Sequence, residues 1–469
     1  MTPDQHALVR DLVAQYRPGH GLPRAFYTTP ALYDLELDLF WRTGWLFAGH
    51  SCQAKEAGEW FTYDVGVDAA IIVRQDDGTL RAHHNVCRHR GSIIAIEPCG
   101  KSKGFVCPYH QWSYGLDGTL KFCRGMQDFD KSAHGLHPVH VEELEGLIYI
   151  SFAKHPPDFA AARALMAPVL NPQGLARAKI AKVADYLIPA NWKLVWENNR
   201  ECVHCNVNHP QYIKANFDHY NDDDLTPDVA AHLARQTARN NALWSASGLA
   251  ATHTDAGLTP FPDAERGIWY SANRTILVEG WVTESVDGRR VCDVLMGAYG
   301  GMQNGEEVGT VRARTLPNFW NHSSCDHGVT TRLTPKGPRA TEARMIWLVD
   351  EDAVEGRDYA LERMLPFWQL TGEQDWQICE RQQKGVESRA YVPGPLSTHK
   401  EYNLDAFLRW YVRSLQHALD APPVVTAQAG TQRPLDGATP NVHRDPSPAA
   451  APTPWCISTT APDFPLPGE

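Results

Sequence analysis

Two short segments of the chain each offer one cysteine and one histidine. The first runs Asn85-Val86-Cys87-Arg88-His89-Arg90-Gly91 and the second Cys107-Pro108-Tyr109-His110-Gln111-Trp112, with seventeen residues between His89 and Cys107. Two Cys and two His suggest either zinc or an iron–sulfur centre. Zinc fingers group like with like, as C-x2-4-C and H-x3-5-H. Here each segment mixes the two types. A two-iron centre of the Rieske kind needs that mixture, because one iron takes both thiolates, the other takes both imidazoles, and each loop supplies one ligand to each iron. The residues therefore read as a [2Fe–2S] site on Cys87, His89, Cys107 and His110. Replacing two thiolates by neutral imidazoles raises the potential to roughly −150 to +300 mV, within reach of a ferredoxin or flavin donor. Gly91 and Gly115 suit tight turns beside the cluster, and Pro108 stiffens the second loop. Cys99 and Cys123 lie near but off the pattern and read as free thiols.

A second set of ligand types follows in Asn198-Asn199-Arg200-Glu201-Cys202-Val203-His204-Cys205, with His209-Pro210 just beyond. Positions 201 and 204 share a face of a helix. His204 and His209 would sit about 140° apart on a regular helix, so they converge only where the helix ends or unwinds. Pro210 biases His209 away from α geometry and supplies a reason. Two His and one carboxylate with open positions make the facial triad of non-haem Fe(II) oxygenases. The third ligand must come from elsewhere. The stretch Gly372-Glu373-Gln374-Asp375-Trp376-Gln377-Ile378-Cys379-Glu380 offers Asp375 and Glu380, and spacing does not choose between them. Alone, these histidines would read as ordinary core or surface residues; the cluster motif in the same chain favours iron.

The elements that must carry these residues form two kinds of region. Residues 1–40 read as helical, with a break at Pro18 to Pro23. Residues 41–160 read as a small all-β unit, with strands at Trp60–Val65, Ala70–Arg74, Leu80–Asn85, Phe105–Val106 and Leu147–Phe152. A Pro/Ala-rich link from Lys154 to about Gly174 leads to a catalytic region at 175–420. There the expected elements are a helix at Trp192–Cys205, strands near Arg274–Trp281 and Met345–Val349, a long helix over Val354–Gln383 and another over Tyr402–Leu419. The order predicts an α+β fold with helices on an antiparallel sheet. Residues 421–469 hold eleven prolines and little apolar periodicity, and read as a disordered tail.

Bulk properties exclude some functions. The 469 residues carry 44 basic and 55 acidic side chains, a formal net charge of −11. There is no basic footprint for nucleic acid. No run of eighteen apolar residues predicts a membrane span, and Met1 to Arg24 lacks a signal-peptide layout, so a cytoplasmic protein is expected. Its eleven cysteines are scattered and read as metal ligands or buried thiols rather than a disulfide framework.

The two ligand motifs resemble those of Rieske oxygenase α subunits, the ring-hydroxylating oxygenase superfamily, over most of residues 35 to 415. Leu316-Pro-Asn-Phe-Trp320-Asn-His322 and Ser388-Arg-Ala-Tyr391-Val-Pro-Gly394-Pro, with the segment around Glu201, look most like the branch of glycine betaine and stachydrine demethylases, carnitine oxygenase and choline monooxygenase. The resemblance implies a Rieske β domain followed by a helix-grip catalytic domain. It places Asp375 as the third ligand beside His204 and His209, with Glu380 a bystander. It also implies Fe(II), O2 as co-substrate and NAD(P)H acting through a separate flavin or ferredoxin-type reductase. A head-to-tail homotrimer follows by the same analogy, in which Glu201 bridges His204 and the neighbouring subunit's cluster histidine. Glu, where most ring-hydroxylating members have Asp, points to quaternary ammonium substrates. Such cations have no N–H to donate and are recognised on aromatic faces. Trp269, Tyr270, Trp281, Trp320 and Trp347 could serve. Each reads first as core, and Trp320 is preferred because its segment resembles the betaine branch. Two rivals stand beside this reading: an aromatic-ring dioxygenase or O-demethylase with the same metals, and a pure electron-transfer protein, against which the extra catalytic region argues.

Overall fold

A computed structural model describes residues 1–126, 128–216, 226–249 and 270–420. The segment read as a disordered tail and Trp269 lie outside the described residues.

The first large sheet has seven antiparallel strands in the order β1-β10-β9-β4-β3-β2-β5. They are β1 (Leu46–His50), β2 (Glu59–Val65), β3 (Asp68–Arg74), β4 (Leu80–His84), β5 (Cys99–Lys101), β9 (Pro138–Leu144) and β10 (Leu147–Ser151). A small sheet of β6 (Phe105–Val106), β7 (Ser113–Tyr114) and β8 (Leu120–Phe122) sits against it. The buried His83 and Gln75 side chains both reach the Leu116 carbonyl, at 2.9 and 2.9 Å, and tie the small sheet to the large one.

The second region is a six-stranded antiparallel sheet, β11-β16-β15-β14-β13-β12. Its strands are β11 (Ala178–Ile188), β12 (Tyr270–Thr275), β13 (Thr310–Thr315), β14 (Phe319–Ser323), β15 (Gly328–Gly337) and β16 (Ala340–Asp350). One face is covered by the short helices α5 (Trp192–Asn199), α6 (Cys205–Asn208) and α7 (Pro210–Ala215), by α9 (Leu361–Met364) and by the long α10 (Pro366–Glu387). Gly372 lets α10 approach the sheet: a Cβ there would lie 3.1 Å from the Met345 sulfur. On the other face, Phe319 packs against Phe47 and Tyr149 of the first sheet, and α4 (Ala160–Leu170) and α8 (Pro227–Ala246) complete the layer.

The N-terminal helices α1 (Pro3–Gln15), α2 (Ala25–Thr28) and α3 (Pro30–Glu36) do not stand apart. They share a core with α5 and with α11 (Tyr402–Asp420). A buried polar knot pins them. Glu36 accepts from Lys193 Nζ at 2.5 Å and Trp192 Nε1 at 2.8 Å, and also from the Tyr411 hydroxyl.

The structure is α+β, but several boundaries differ from expectation. The helix expected over Trp192–Cys205 ends at Asn199, because the Glu201 carboxylate accepts the Val203 N–H at 2.5 Å and competes with the helical pattern. The long helix expected from Val354 begins at Pro366, after a turn with Gly356 at φ +79°. The strand expected at Arg274–Trp281 runs over Tyr270–Thr275 instead. The Pro/Ala-rich link contains α4, with Pro168 inside it.

Candidate metal centres

Both cysteine–histidine loops are built on the same turn. Cys87 follows β4; Gly91 N–H bonds its carbonyl at 3.0 Å, with Gly91 at φ +78°. Cys107 opens the β6–β7 hairpin loop; Gln111 N–H bonds its carbonyl at 3.0 Å, with Gln111 at φ +60°. The second left-handed position thus falls on Gln111, whose side chain is steadied by Arg124 at 2.8 Å. Gly115 does not take that role. Asn85 clamps the first loop, accepting the Ile94 and Ala95 N–H groups and donating to the Ala95 carbonyl.

This construction sorts the ligands by polarity. Cys87 and Cys107 are 3% and 1% exposed and lie in contact with each other. His89 and His110 stand on the rim, ring centroids 4.5 Å apart. His89 stacks on Trp112 at 4.8 Å and 9°. Two inner sulfurs and two outer imidazoles are a donor set that would hold a [2Fe–2S] group of the mixed Cys/His kind.

The second constellation gathers where α5, α6 and α7 meet α10. Glu201 lies in the turn after α5, and its Oε1 accepts His204 Nδ1–H at 2.6 Å. His209 sits between α6 and α7 at φ −123°, ψ 66°, the non-helical geometry that Pro210 favours. Its Nδ1–H donates to Gln374 Oε1 at 2.7 Å. With both Nδ1 atoms so held, both Nε2 atoms are turned to one point. Asp375 Oδ1 of α10 lies there, 3.2 Å from His204 Nε2 and 2.9 Å from His209 Nε2. Glu380 is elsewhere, paired with Lys384 at 2.7 Å.

The electrostatics fit a metal. Burial opposes charge on His204, but its bonds to Asp375 and Glu201 outweigh this and push its pKa up to about 10. A proton and a metal cation compete for the same Nε2. Burial likewise opposes charge on Asp375, yet the two histidines hold its carboxyl below the usual range. Two imidazoles and one carboxylate match Fe(II). The Cys205 sulfur is also near, within 4.8 Å of the His204 and His209 ligand atoms. It is bonded to Cys202, however, with the two Cα atoms 5.0 Å apart, which takes it out of the donor set.

That bond corrects the expectation of scattered thiols. A turn that brings residues three apart to 5.0 Å places them in disulfide range. Cys99 is disulfide-bonded as well, whereas Cys123 is a free, buried thiol.

Sequence reasoning missed Gln374 and the role of Asn198, whose Nδ2 lies 3.3 Å from His204 Nε2. The usable signal was chemical: a ligating histidine needs a partner on its other nitrogen, and Gln374 directly precedes Asp375. Of the proposed aromatics, Trp320 lies on the helix-covered face of the sheet with its ring against Trp196 at 5.3 Å. Trp347 is buried between the sheet and α10. Tyr270 belongs to the core on the opposite face, and Trp281 packs over Gly288.

Residues 44–132 match the family described as Rieske [2Fe-2S] domain, and residues 175–417 match Ring hydroxylating alpha subunit (catalytic domain). The chain belongs to the Rieske non-haem iron oxygenases. Such oxygenases carry an iron–sulfur cluster and an iron, the two groups that the two constellations fit. This oxygenase is 38% identical over 415 residues to the glycine betaine monooxygenase oxygenase subunit of Chromohalobacter salexigens, covering 88% of this chain and 89% of that one. It is 34% identical over 403 residues to the protein so named in Pseudomonas aeruginosa, covering 86% and 90%. A solved quaternary ammonium Rieske monooxygenase in complex with L-carnitine has the same fold, at TM-score 0.62 and 19% identity, covering 87% of this chain and 98% of that one. Naphthalene 1,2-dioxygenase from Rhodococcus shares it too, at TM-score 0.59 and 18% identity, covering 88% and 98%. None of the described helices is long and apolar enough to cross a membrane.

Proposed function

We propose that this chain is the oxygenase subunit of a monooxygenase that N-demethylates a quaternary ammonium compound such as glycine betaine. The observation that carries the reading is the likeness to glycine betaine monooxygenase oxygenase subunits along nearly the whole chain. Glu201 at the acid position supports it.

Cys87, His89, Cys107 and His110 would hold the cluster, and His204, His209 and Asp375 the iron; when bound, these groups supply electron relay and O2 activation. Glu201 and Gln374 fix the imidazoles so that each presents Nε2. The Asp375 carboxylate supplies the negative charge. The balance is that of a monooxygenation. One oxygen atom enters a C–H bond of an N-methyl group and the other leaves as water. Two electrons and two protons are consumed, the electrons coming from NAD(P)H through a separate reductase. The N–CH2–OH product then breaks its C–N bond and releases formaldehyde.

Electrons would cross between subunits of a head-to-tail homotrimer, with Glu201 also reaching His110 of the partner subunit. The apolar surface supports such packing. Tyr109 and Ile96 beside the cluster are 57% and 73% exposed, and Val207 beside the iron ligands is 85% exposed. Trp320 would form part of the wall behind the substrate.

The test supplies NADH, a competent reductase and O2, and measures formaldehyde with glycine betaine, stachydrine and carnitine beside aromatic acids. Formaldehyde from the betaines is expected. Turnover of the aromatic acids alone would favour a ring dioxygenase or O-demethylase and end the betaine reading.

A further inference from the structure

Three carboxamides stand around His204, and two of them are engaged elsewhere. Asn208 Nδ2 donates to the His204 carbonyl at 2.9 Å, and Asn199 Oδ1 accepts from Arg314 Nε at 3.1 Å. The third, Asn198, lies in the last turn of α5 and is 9% exposed. Its Nδ2 lies 3.3 Å from His204 Nε2, the nitrogen turned toward the metal point, and this is the one hydrogen bond its side chain makes among the described residues. An asparagine side chain has two donor hydrogens and two acceptor lone pairs. Burying it against a single long contact is costly. Nor is the helix free to carry it away, since α5 is capped by Asn191 and pinned through Trp192 and Lys193 to Glu36.

That contact does not survive metal binding as it stands. His204 Nδ1–H donates to Glu201 at 2.6 Å, so Nε2 carries the ring's one free lone pair. A metal takes that pair, and the amide N–H loses its acceptor. A cation there also repels the amide hydrogens and attracts the carbonyl oxygen. A half-turn about χ2 exchanges the two heads and brings Oδ1 to where Nδ2 lies, with the backbone unchanged. The spacing suits ligation. Metal–donor bonds of about 2.1 Å set neighbouring donors of an octahedral ion about 3.0 Å apart. Asp375 Oδ1 lies 3.2 Å from His204 Nε2 and 2.9 Å from His209 Nε2, and the Asn198 head lies 3.3 Å from His204 Nε2. A further atom near that nitrogen, Cys205 Sγ at 3.8 Å, is held in its bond to Cys202.

We propose that Asn198 is a fourth protein donor to the mononuclear metal, through its carboxamide oxygen. This rests on the reading of His204, His209 and Asp375 as the iron ligands. A neutral carboxamide attracts a cation less than the Asp375 carboxylate does, so it is the ligand most easily given up to an incoming one. Asn198 fills a coordination position at rest and opens it when a stronger donor arrives, by a side-chain rotation and without movement of a helix.

The experiment loads the full chain, its cluster oxidised, with Mn(II) at the mononuclear site, a paramagnetic ion that accepts carbonyl oxygen. The protein is made with asparagine carrying carbon-13 at the side-chain carbonyl. Electron–nuclear double resonance should show an isotropic carbon-13 coupling in the wild type, transmitted through the metal–oxygen bond, and Asn198→Ala should abolish it. By chelator competition, Asn198→Ala should also weaken Fe(II) binding about 10-fold or more, the least that loss of an outer partner costs. Asn198→Asp, nearly isosteric and still an oxygen donor, should restore or exceed the wild-type affinity. Unaltered cluster absorption checks the fold of each variant, and the wild-type resonance with Asn198→Asp carries the test if Asn198→Ala does not fold. If wild-type protein binds Mn(II) without the coupling, or Asn198→Ala keeps the coupling or the wild-type Fe(II) affinity, the fourth donor is overturned while the three-ligand site stands. If the Mn(II) signal is the same in His209→Ala, the metal lies elsewhere and both readings fall.

Discussion

At His204 and His209 the outer nitrogen decides what the inner one can do. Glu201 and Gln374 each hold an Nδ1–H, at 2.6 and 2.7 Å, and each frees an Nε2 for the metal. Gln374 is itself held, since Gln211 Nε2 reaches its Oε1 at 2.9 Å and Thr371 Oγ1 at 2.8 Å. Such outer partners are worth roughly 10–100-fold in metal affinity. Gln374→Leu should therefore weaken iron binding by about that factor, read by chelator competition, with the cluster's visible spectrum unchanged. Iron affinity equal to wild type would remove Gln374 from the site. The ligands themselves were legible in the sequence because metal chemistry restricts both residue type and spacing. Gln374 was not, because no spacing rule ties it to the histidines, the nearer of which, His209, lies 165 residues away.

Among the elements, α5 bears two loads. Its C-terminal end leads into the metal turn, while its body is fixed to the N-terminal helices by buried charge. Asn191 caps it, accepting Lys193 N–H at 3.0 Å and donating to the Tyr27 and Pro338 carbonyls. One turn on, Glu197 accepts the Tyr27 hydroxyl at 2.8 Å. Burial raises the Glu197 pKa from 4.5 to about 7, and the Tyr27 bond and Lys193 only partly offset it. A carboxyl whose pKa is higher folded than unfolded binds its proton more tightly in the folded state. Its contribution to stability is complete below about 4.5 and is lost as pH rises through about 7. The full span is worth on the order of 3 kcal/mol. Glu197→Gln, which mimics the protonated acid, should flatten the dependence of the thermal midpoint on pH across that window. A wild-type slope retained in the variant would show that another group sets it. The sequence reading predicted one helix through Cys205. It could not reveal that Glu201 turns its carboxylate back on the chain, a local competition between side chain and backbone.

For the molecule as a whole, the cluster loops spring from β4 and the small sheet, the iron ligands from helices laid over the six-stranded sheet, and each site presents apolar surface beside its ligands. The two-part architecture was readable from alternating strands followed by mixed segments. The merging of residues 1–40 with α11 was not, since packing between distant helices leaves no local pattern. If electrons cross between subunits, two dead variants should rescue each other. Cys107→Ser lacks the cluster and Asp375→Ala lacks the iron; co-assembled from unfolded mixtures or co-expressed, they should regain a substantial fraction of formaldehyde release that neither shows alone. No rescue in verified mixed trimers would mean that each chain works by itself. The Cys202–Cys205 bond has a consequence of another kind. Opened by a thiol reductant, it would return a soft sulfur ligand within 4.8 Å of both imidazoles. Thiolate with imidazole suits zinc, whereas imidazole with carboxylate suits Fe(II). The oxidised pair then acts as a guard on metal identity, and the zinc-to-iron ratio of protein prepared with dithiothreitol should exceed that of protein prepared without it.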